Sequence, residues 1–239
     1  MFRAALDGKR LAFDTGGVRG GNELFRDRGT GSSWQQSTTE AIAGPLRGKH
    51  LELYPFLLTT WGEWRREHPA TVVLQPLPGY ADRVAQMNEV LNRGVAASAA
   101  APKGALSLDD RLPPHTPVLG LEVNGASMAY PLPALQAARV VNGTQGGEAV
   151  LIVYQPGSAT TTAFAREWQG RKLDFQPANA SGTELEDRET RSRWNAYGVC
   201  TAGRLKGARL ATLILEPEFW FAWSEFHPGT GIYAAKTTN

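Results

Sequence analysis

Cysteine is nearly absent: Cys200 is the only one in 239 residues. An intrachain disulfide is therefore impossible, as is any zinc site built on several thiolates. Cys200 itself reads as a small buried apolar group. Histidine is almost as scarce, and the four present stand far apart without metal-ligand spacing. No metal and no cofactor is expected. Long apolar runs are also missing. The longest, around Ala149–Tyr154, falls far short of the ~20 residues a membrane-spanning helix requires, so no membrane span is expected. The opening MFRAALDGKRLAF lacks an apolar h-region and a small-residue cleavage site. As written the chain reads as soluble and cytoplasmic, or as extracytoplasmic if a signal segment lies upstream. Net charge is only +2, with Lys and Arg scattered among acids. No basic patch marks a nucleic-acid partner. A G-x-S-x-G elbow, a phosphate loop and an H-E-x-x-H pair are all missing, so hydrolysis by a serine or carboxylate site has no supporting motif.

What is present is glycine (26), proline (15) and 42% hydrophobic residues. That composition suits a turn-rich, β-heavy globular chain. It also contains a repeat. The octet DRGTGSSW (Asp27–Trp34) recurs as DRETRSRW (Asp187–Trp194) at an offset of 160. Upstream, Gly8–Phe13 matches Gly170–Phe175. Downstream, Ala43–Leu51 matches Ala202–Leu210 at an offset of 159, which also pairs Trp61 with Trp220, Trp64 with Trp223, His68 with His227 and Thr71 with Thr230. So many rare residues in one order identify two copies of a structural unit.

Within each unit KRLAF and RKLDF alternate as half-buried strands. The octet alternates as well, which places Arg28, Thr30, Ser32 and Trp34 on one face of an extended segment and Asp27 on the other. Trp61, Trp64 and His68 fall at i, i+3 and i+7, one face of a helix. Thr60 with Glu63 has capping-box spacing at its start and Pro69 suits its end. After the helix, ATVVL or GTGIY returns as a strand. The resulting expectation is a mainly β fold, with two repeated modules, each carrying one Trp-bearing helix, related by a pseudo-twofold in one compact body.

Residues 1–75 form the first unit and 117–239 the second. Between them, 76–116 holds an amphipathic helix around Tyr80–Asn92 and an Ala-rich linker at Gly94–Ser107. Asn124-Gly125 between two alternating runs signals a β-hairpin, and EAVLIVY a buried strand. The units are unequal: Pro117–Phe164 precedes the second copy's Gly170, whereas only Met1–Asp7 precedes Gly8. The front of copy two has no counterpart in copy one, whose own front half is read as missing.

DRGTGSSWQQSTTEAIAGPLRG, LTTWGEWRREHPATVVL and RLPPHTPVLGLEVNGASMAYPLPAL together resemble the domain of unknown function 3179 family of bacteria and archaea, over nearly the whole chain except the Ala-rich linker. The resemblance implies a strand ending Tyr-Cys-Pro-Leu-Cys, or with selenocysteine at the first position, just before the segment where this chain opens, and some members are described as selenoproteins. Here the copy-two counterpart is Tyr154-Gln155-Pro156-Gly157-Ser158, which holds no thiol. The expectation that follows is a family member read from an internal methionine behind a selenocysteine codon, or equally a genuinely shortened or designed chain.

Residues repeated in both units read as scaffold: Asp27 and Arg28, Trp34, Trp61, Trp64 and His68, with Asp187, Trp194, Trp220, Trp223 and His227. Residues peculiar to copy one are the candidates for contacting a ligand. Gln35 and Gln36 stand against Asn195 and Ala196, His50 against Arg209, and Glu40 has no counterpart of like chemistry. No catalytic residue is identified. Two functions remain open, the remainder of a thiol or selenol redox protein and a non-catalytic module that binds a small molecule or protein through exposed aromatic residues.

Overall fold

A computed structural model describes residues 1–75, 77, 79–93, 109–179 and 183–235. The first part of the chain forms β1 (Ala5–Leu6), β2 (Lys9–Arg10), β3 (Phe13–Arg19), β4 (Asn22–Asp27), β5 (Ser33–Gln35), β6 (Ala41–Ala43), helix α1 (Trp61–Glu67) and helix α2 (Ala81–Arg93). The next stretch forms β7 (Pro117–Val123), β8 (Ala126–Pro131), helix α3 (Leu132–Ala138), β9 (Val140–Gln145), β10 (Glu148–Gln155) and β11 (Thr160–Ala165). Then follow β12 (Glu167–Trp168), β13 (Arg171–Lys172), β14 (Phe175–Pro177), β15 (Glu184–Asp187), β16 (Arg193–Asn195) and β17 (Cys200–Ala202). The chain ends in β18 (Ala211–Leu213), β19 (Leu215–Phe219), helix α4 (Trp220–Phe226) and β20 (Gly231–Ile232). The fold is β-rich, as composition and alternation imply.

Four four-stranded sheets dominate, ordered β3-β4-β5-β6, β14-β15-β16-β17, β18-β11-β10-β9 and β19-β7-β8-β20. In the last, β7 and β8 form the hairpin that Asn124-Gly125 signals, with both turn residues at positive φ, 50° and 75°, as a type I′ turn demands. One face of this hairpin, with Leu119, Leu121 and Tyr130, packs on Val150, Ile152 and Tyr154 of β10. Its other face, Val118 and Ala129, lies under Trp220 and Trp223 of α4. The opposite side of β10, Leu151 and Val153, joins Phe175, Leu185 and Trp194 in a second core. α4 and three sheets thus stack in four layers, and β10 is buried on both faces, which explains why EAVLIVY is continuously apolar.

The two octets fold alike, but not as extended segments. Residues 28–30 and 188–190 make a turn, and its chemistry explains the departure from the period-2 expectation. Asp27 Oδ1 accepts the Thr30 N–H at 2.7 Å, while Oδ2 accepts the Thr30 hydroxyl at 2.7 Å and the Trp34 indole N–H at 3.2 Å. Asp187 does the same for Thr190, at 2.5 and 2.8 Å, and for Trp194 at 2.8 Å. Asp27 is therefore the centre of the turn and not a residue facing away from it. A short acidic side chain that hydrogen-bonds its own following backbone favours a turn over a strand. Ser32 and Ser192 press against Gly44 and Gly203, where a Cβ would stand 2.7 and 2.8 Å from the serine Cα. Both glycines sit at positive φ, 91° and 93°, so no other residue fits. Arg28 reaches outward to Asp14 at 2.6 Å in an exposed pair worth little to stability.

The helices diverge. Both end alike: His68 and His227 cap at φ near −125° with ψ 65°, and the Trp64 and Trp223 indoles donate to the Thr71 and Thr230 hydroxyls at 2.9 Å each. In α4, however, Trp220 and Trp223 are fully buried, while in α1 Trp61 is 50% and Trp64 39% exposed. α1 buries nothing and is started by Thr60, whose hydroxyl accepts the Glu63 N–H. α4 has Phe219 in that place and no side-chain cap; packing holds it instead.

The strand expected in ATVVL is absent, although its counterpart Gly231–Ile232 pairs parallel with β8. Copy one has no second strand for it to pair with, and Val72 and Val73 are exposed. The amphipathic helix forms as α2, with Tyr80 and Val84 exposed. The Ala-rich linker lies outside the described residues.

Candidate functional site

Two regions combine chemistry with access. The first is a polar cleft between the copies, a cavity of about 640 Å³. Ser37, Thr38, Thr39, Glu40 and His50 line one wall, and Glu122, Glu216 and His227 the other. Glu40 and His50 meet because they form an isolated antiparallel bridge, matched in copy two by Val199 with Arg209. His50 Nδ1 lies 3.3 Å from the Thr38 carbonyl. Across the cleft His227 stacks on Trp223 with ring centres 3.6 Å apart, and its Nε2 is 3.6 Å from the Glu122 carboxylate. Burial lowers the pKa of His227, against the opposing pull of the Trp223 carbonyl and Glu122.

An adjoining cavity of about 400 Å³ is lined by Gln36, Asn22, Phe56, Glu216 and Glu218. Burial pushes Glu216 up to about 7, with the Met1 α-amino group working against it and Glu122 adding to it. Burial likewise pushes Glu218 up to about 7, opposed by the Ser37 hydroxyl that donates to it at 2.9 Å and aided by Glu216. Glu218 Oε2 is buried without a hydrogen-bond partner among the described residues. Two carboxyl groups titrating near neutrality give this wall protons to exchange and acceptors for a cationic or hydroxylated ligand.

Of the sequence candidates, Gln36, Glu40 and His50 therefore border these cavities. Gln35 does not. It is buried, and its amide N–H donates to Asn22 Oδ1 at 2.7 Å. Glu216, Glu218 and Glu122 were missed because copy-specific residues were sought in copy one alone. At an offset of 159, Glu216 and Glu218 stand where copy one has Leu57 and Thr59, a signal that was there to read.

The second region is apolar. Trp61 and Trp64 lie beside exposed Leu57 and Leu58 before α1 and Val72, Val73 and Leu74 after it. Large apolar side chains left exposed in one stretch of a folded chain make it a candidate contact surface.

Residues 1–230 match the profile of a family described as protein of unknown function (DUF3179). The chain belongs to that family. No curated protein and no solved structure matches it.

In this DUF3179 chain Gln155 and Ser158, the copy-two counterparts of the pair that the resemblance places ahead of copy one, are buried and hold no thiol. Gln155 Nε2 and Ser158 Oγ lack hydrogen-bond partners among the described residues. The lone thiol, Cys200, sits in the core with Trp194 and Phe175. Burial pushes its pKa up, against its hydrogen bonds to the Ala202 carbonyl and Ser192, so it is no nucleophile. Among the described residues no three His, Cys, Asp or Glu side chains cluster in a way that could hold a metal. No described helix is long and apolar enough to cross a membrane.

Proposed function

We propose that this chain is a non-catalytic interaction module whose contact face is α1 with the extended residues on either side of it, and whose partner is a polypeptide. One observation carries this reading: the face that α4 buries completely through Trp220 and Trp223 is displayed by α1 through Trp61 and Trp64. The indole-to-threonine bond recurs in both helices at 2.9 Å, and each indole keeps its histidine ring contact, tilted at 4.1 Å in α1 and stacked at 3.6 Å in α4. Exposed tryptophans with an intact supporting frame are the residues that dominate protein interfaces. The reading as a thiol or selenol redox protein draws no reactive group from the described residues.

A photo-crosslinking amino acid placed at Trp61 in the cells that make the protein tests this. The expected result is one discrete adduct that disappears when Trp64→Asp is added. An adduct pattern no different from that of a crosslinker at exposed Lys9 would end the proposal.

A further inference from the structure

We propose that Phe56–Leu74 is a slot for a β-hairpin, supplied by a polypeptide other than residues 1–239 and built like Pro117–Pro131, that completes a four-stranded sheet. This rests on the interaction reading above and specifies its partner. In copy two β19 pairs antiparallel with β7, β7 with β8, and β8 parallel with β20. β19, α4 and β20 are thus a split strand-helix-strand unit with the β7–β8 hairpin filling the gap. Copy one retains the two outer segments and the helix. Phe56–Thr60 stands for β19, Val72–Val73 for β20, and α1 for α4, with the same histidine C-cap and the same indole-to-threonine bond. Among the described residues no hairpin pairs with them.

The edges are left as a partner strand would need them. Among the described residues, the N–H groups of Phe56, Leu57, Leu58, Thr59, Val72 and Val73 make no backbone hydrogen bond. These segments are the counterparts of β19 and β20, which run parallel on either side of the β7–β8 hairpin, and unpaired main-chain donors at such positions suit β-pairing, which a helix or a small molecule cannot supply. The register is also specified. Gly120 opposes Glu216 in β19, and a Cβ on it would fall 2.1 Å from Trp223. The incoming strand must therefore place glycine opposite Leu57, beneath Trp64. A second copy of the chain is not the occupant, because its own hairpin is paired on both edges and packed on both faces.

The test exposes the full chain to the peptide of sequence Pro117–Pro131 and to a display library built on it with all strand positions varied, followed by hydrogen exchange with the selected binders. Binders should carry glycine at the Gly120 position and slow exchange at Leu57–Thr59 and Val72–Val73 by at least about tenfold. Changing that glycine to valine should weaken binding at least about tenfold. Failure of the library to yield a binder, binders indifferent to the glycine, or protection in the chain alone through dimerisation would each overturn the slot. Binders that cover Trp61 and Trp64 without protecting those amides would overturn the hairpin while leaving the interaction reading intact; no binder at the tryptophans counts against both.

Discussion

The Trp223 indole lies so close to Gly120 that a Cβ there would fall 2.1 Å from its Cζ3. A side chain at 120 must either displace the helix or break the strand pairing. Gly120→Val is expected to destabilise the fold by about 3 kcal/mol, read as a lower urea midpoint. Gly62, inside exposed α1 with nothing near its missing Cβ, is the control. Gly62→Ala should be neutral or stabilising by up to about 1 kcal/mol, through helix propensity alone.

Asp27 holds its turn as a carboxylate. Burial works to raise its pKa, but hydrogen bonds from Thr30, Trp34 and Ser32 outweigh burial and leave it below its ordinary value of 3.8. A group whose folded pKa is depressed contributes stability above its unfolded pKa and loses it as pH falls through the folded one. Asp27→Asn should cost about 2 kcal/mol at pH 7 and remove part of the acid limb below pH ~4. Chemical denaturation at pH 3 and pH 7 checks both.

Glu216 and Glu218 act in the opposite direction. Their folded pKa of about 7 exceeds the ordinary glutamate value of 4.5, so the folded state holds protons that the unfolded state has released. Their contribution is full below pH ~4.5, falls as pH rises and is gone above pH ~7. His227, lowered from 6.5, destabilises as pH falls below that value and so partly offsets the carboxyls at the acid end. Glu218→Gln should stabilise the protein at pH 8 by about 2 kcal/mol and flatten the decline between pH ~4.5 and ~7. Carboxyl carbon NMR should find two glutamates titrating near neutrality. A flat stability profile and ordinary glutamate titration would refute the assignment.

Arg166 is buried and spans layers. Its guanidinium donates to the Gly143, Val150 and Leu173 carbonyls and to Asp174 Oδ1 at 2.5 Å. Arg166→Lys cannot reproduce that fork. A loss of about 3 kcal/mol is expected, since several buried carbonyls lose their donor. Thermal unfolding of Arg166→Lys beside Arg171→Lys, an exposed neighbour, measures it.

Much of this was readable before any coordinates. Recurring tryptophans at a fixed offset exposed the duplication, and Asn124-Gly125 the hairpin. Burial was harder to read, because Trp61 and Trp64 look like Trp220 and Trp223 until it is known whether a sheet lies opposite them. The octet misled for a different reason. Its alternation is real, but Asp27 and Asp187 hydrogen-bond their own following residues, and turn chemistry overrides a two-residue period. The cleft was half visible. Glu40 and His50 announced themselves as peculiar to copy one, while Glu216 and Glu218 were peculiar to copy two. Their raised pKa values come from tertiary burial, which no local pattern encodes.

Cys200, the only thiol in the sequence, is buried in the core with its pKa pushed up by burial, which leaves the surface without a competing thiol. A cysteine introduced at Leu58 or Val73 would take a fluorophore or spin label in the native protein without mutating the wild-type residue away. The distance between the two edges of the slot could then be followed spectroscopically as a hairpin enters.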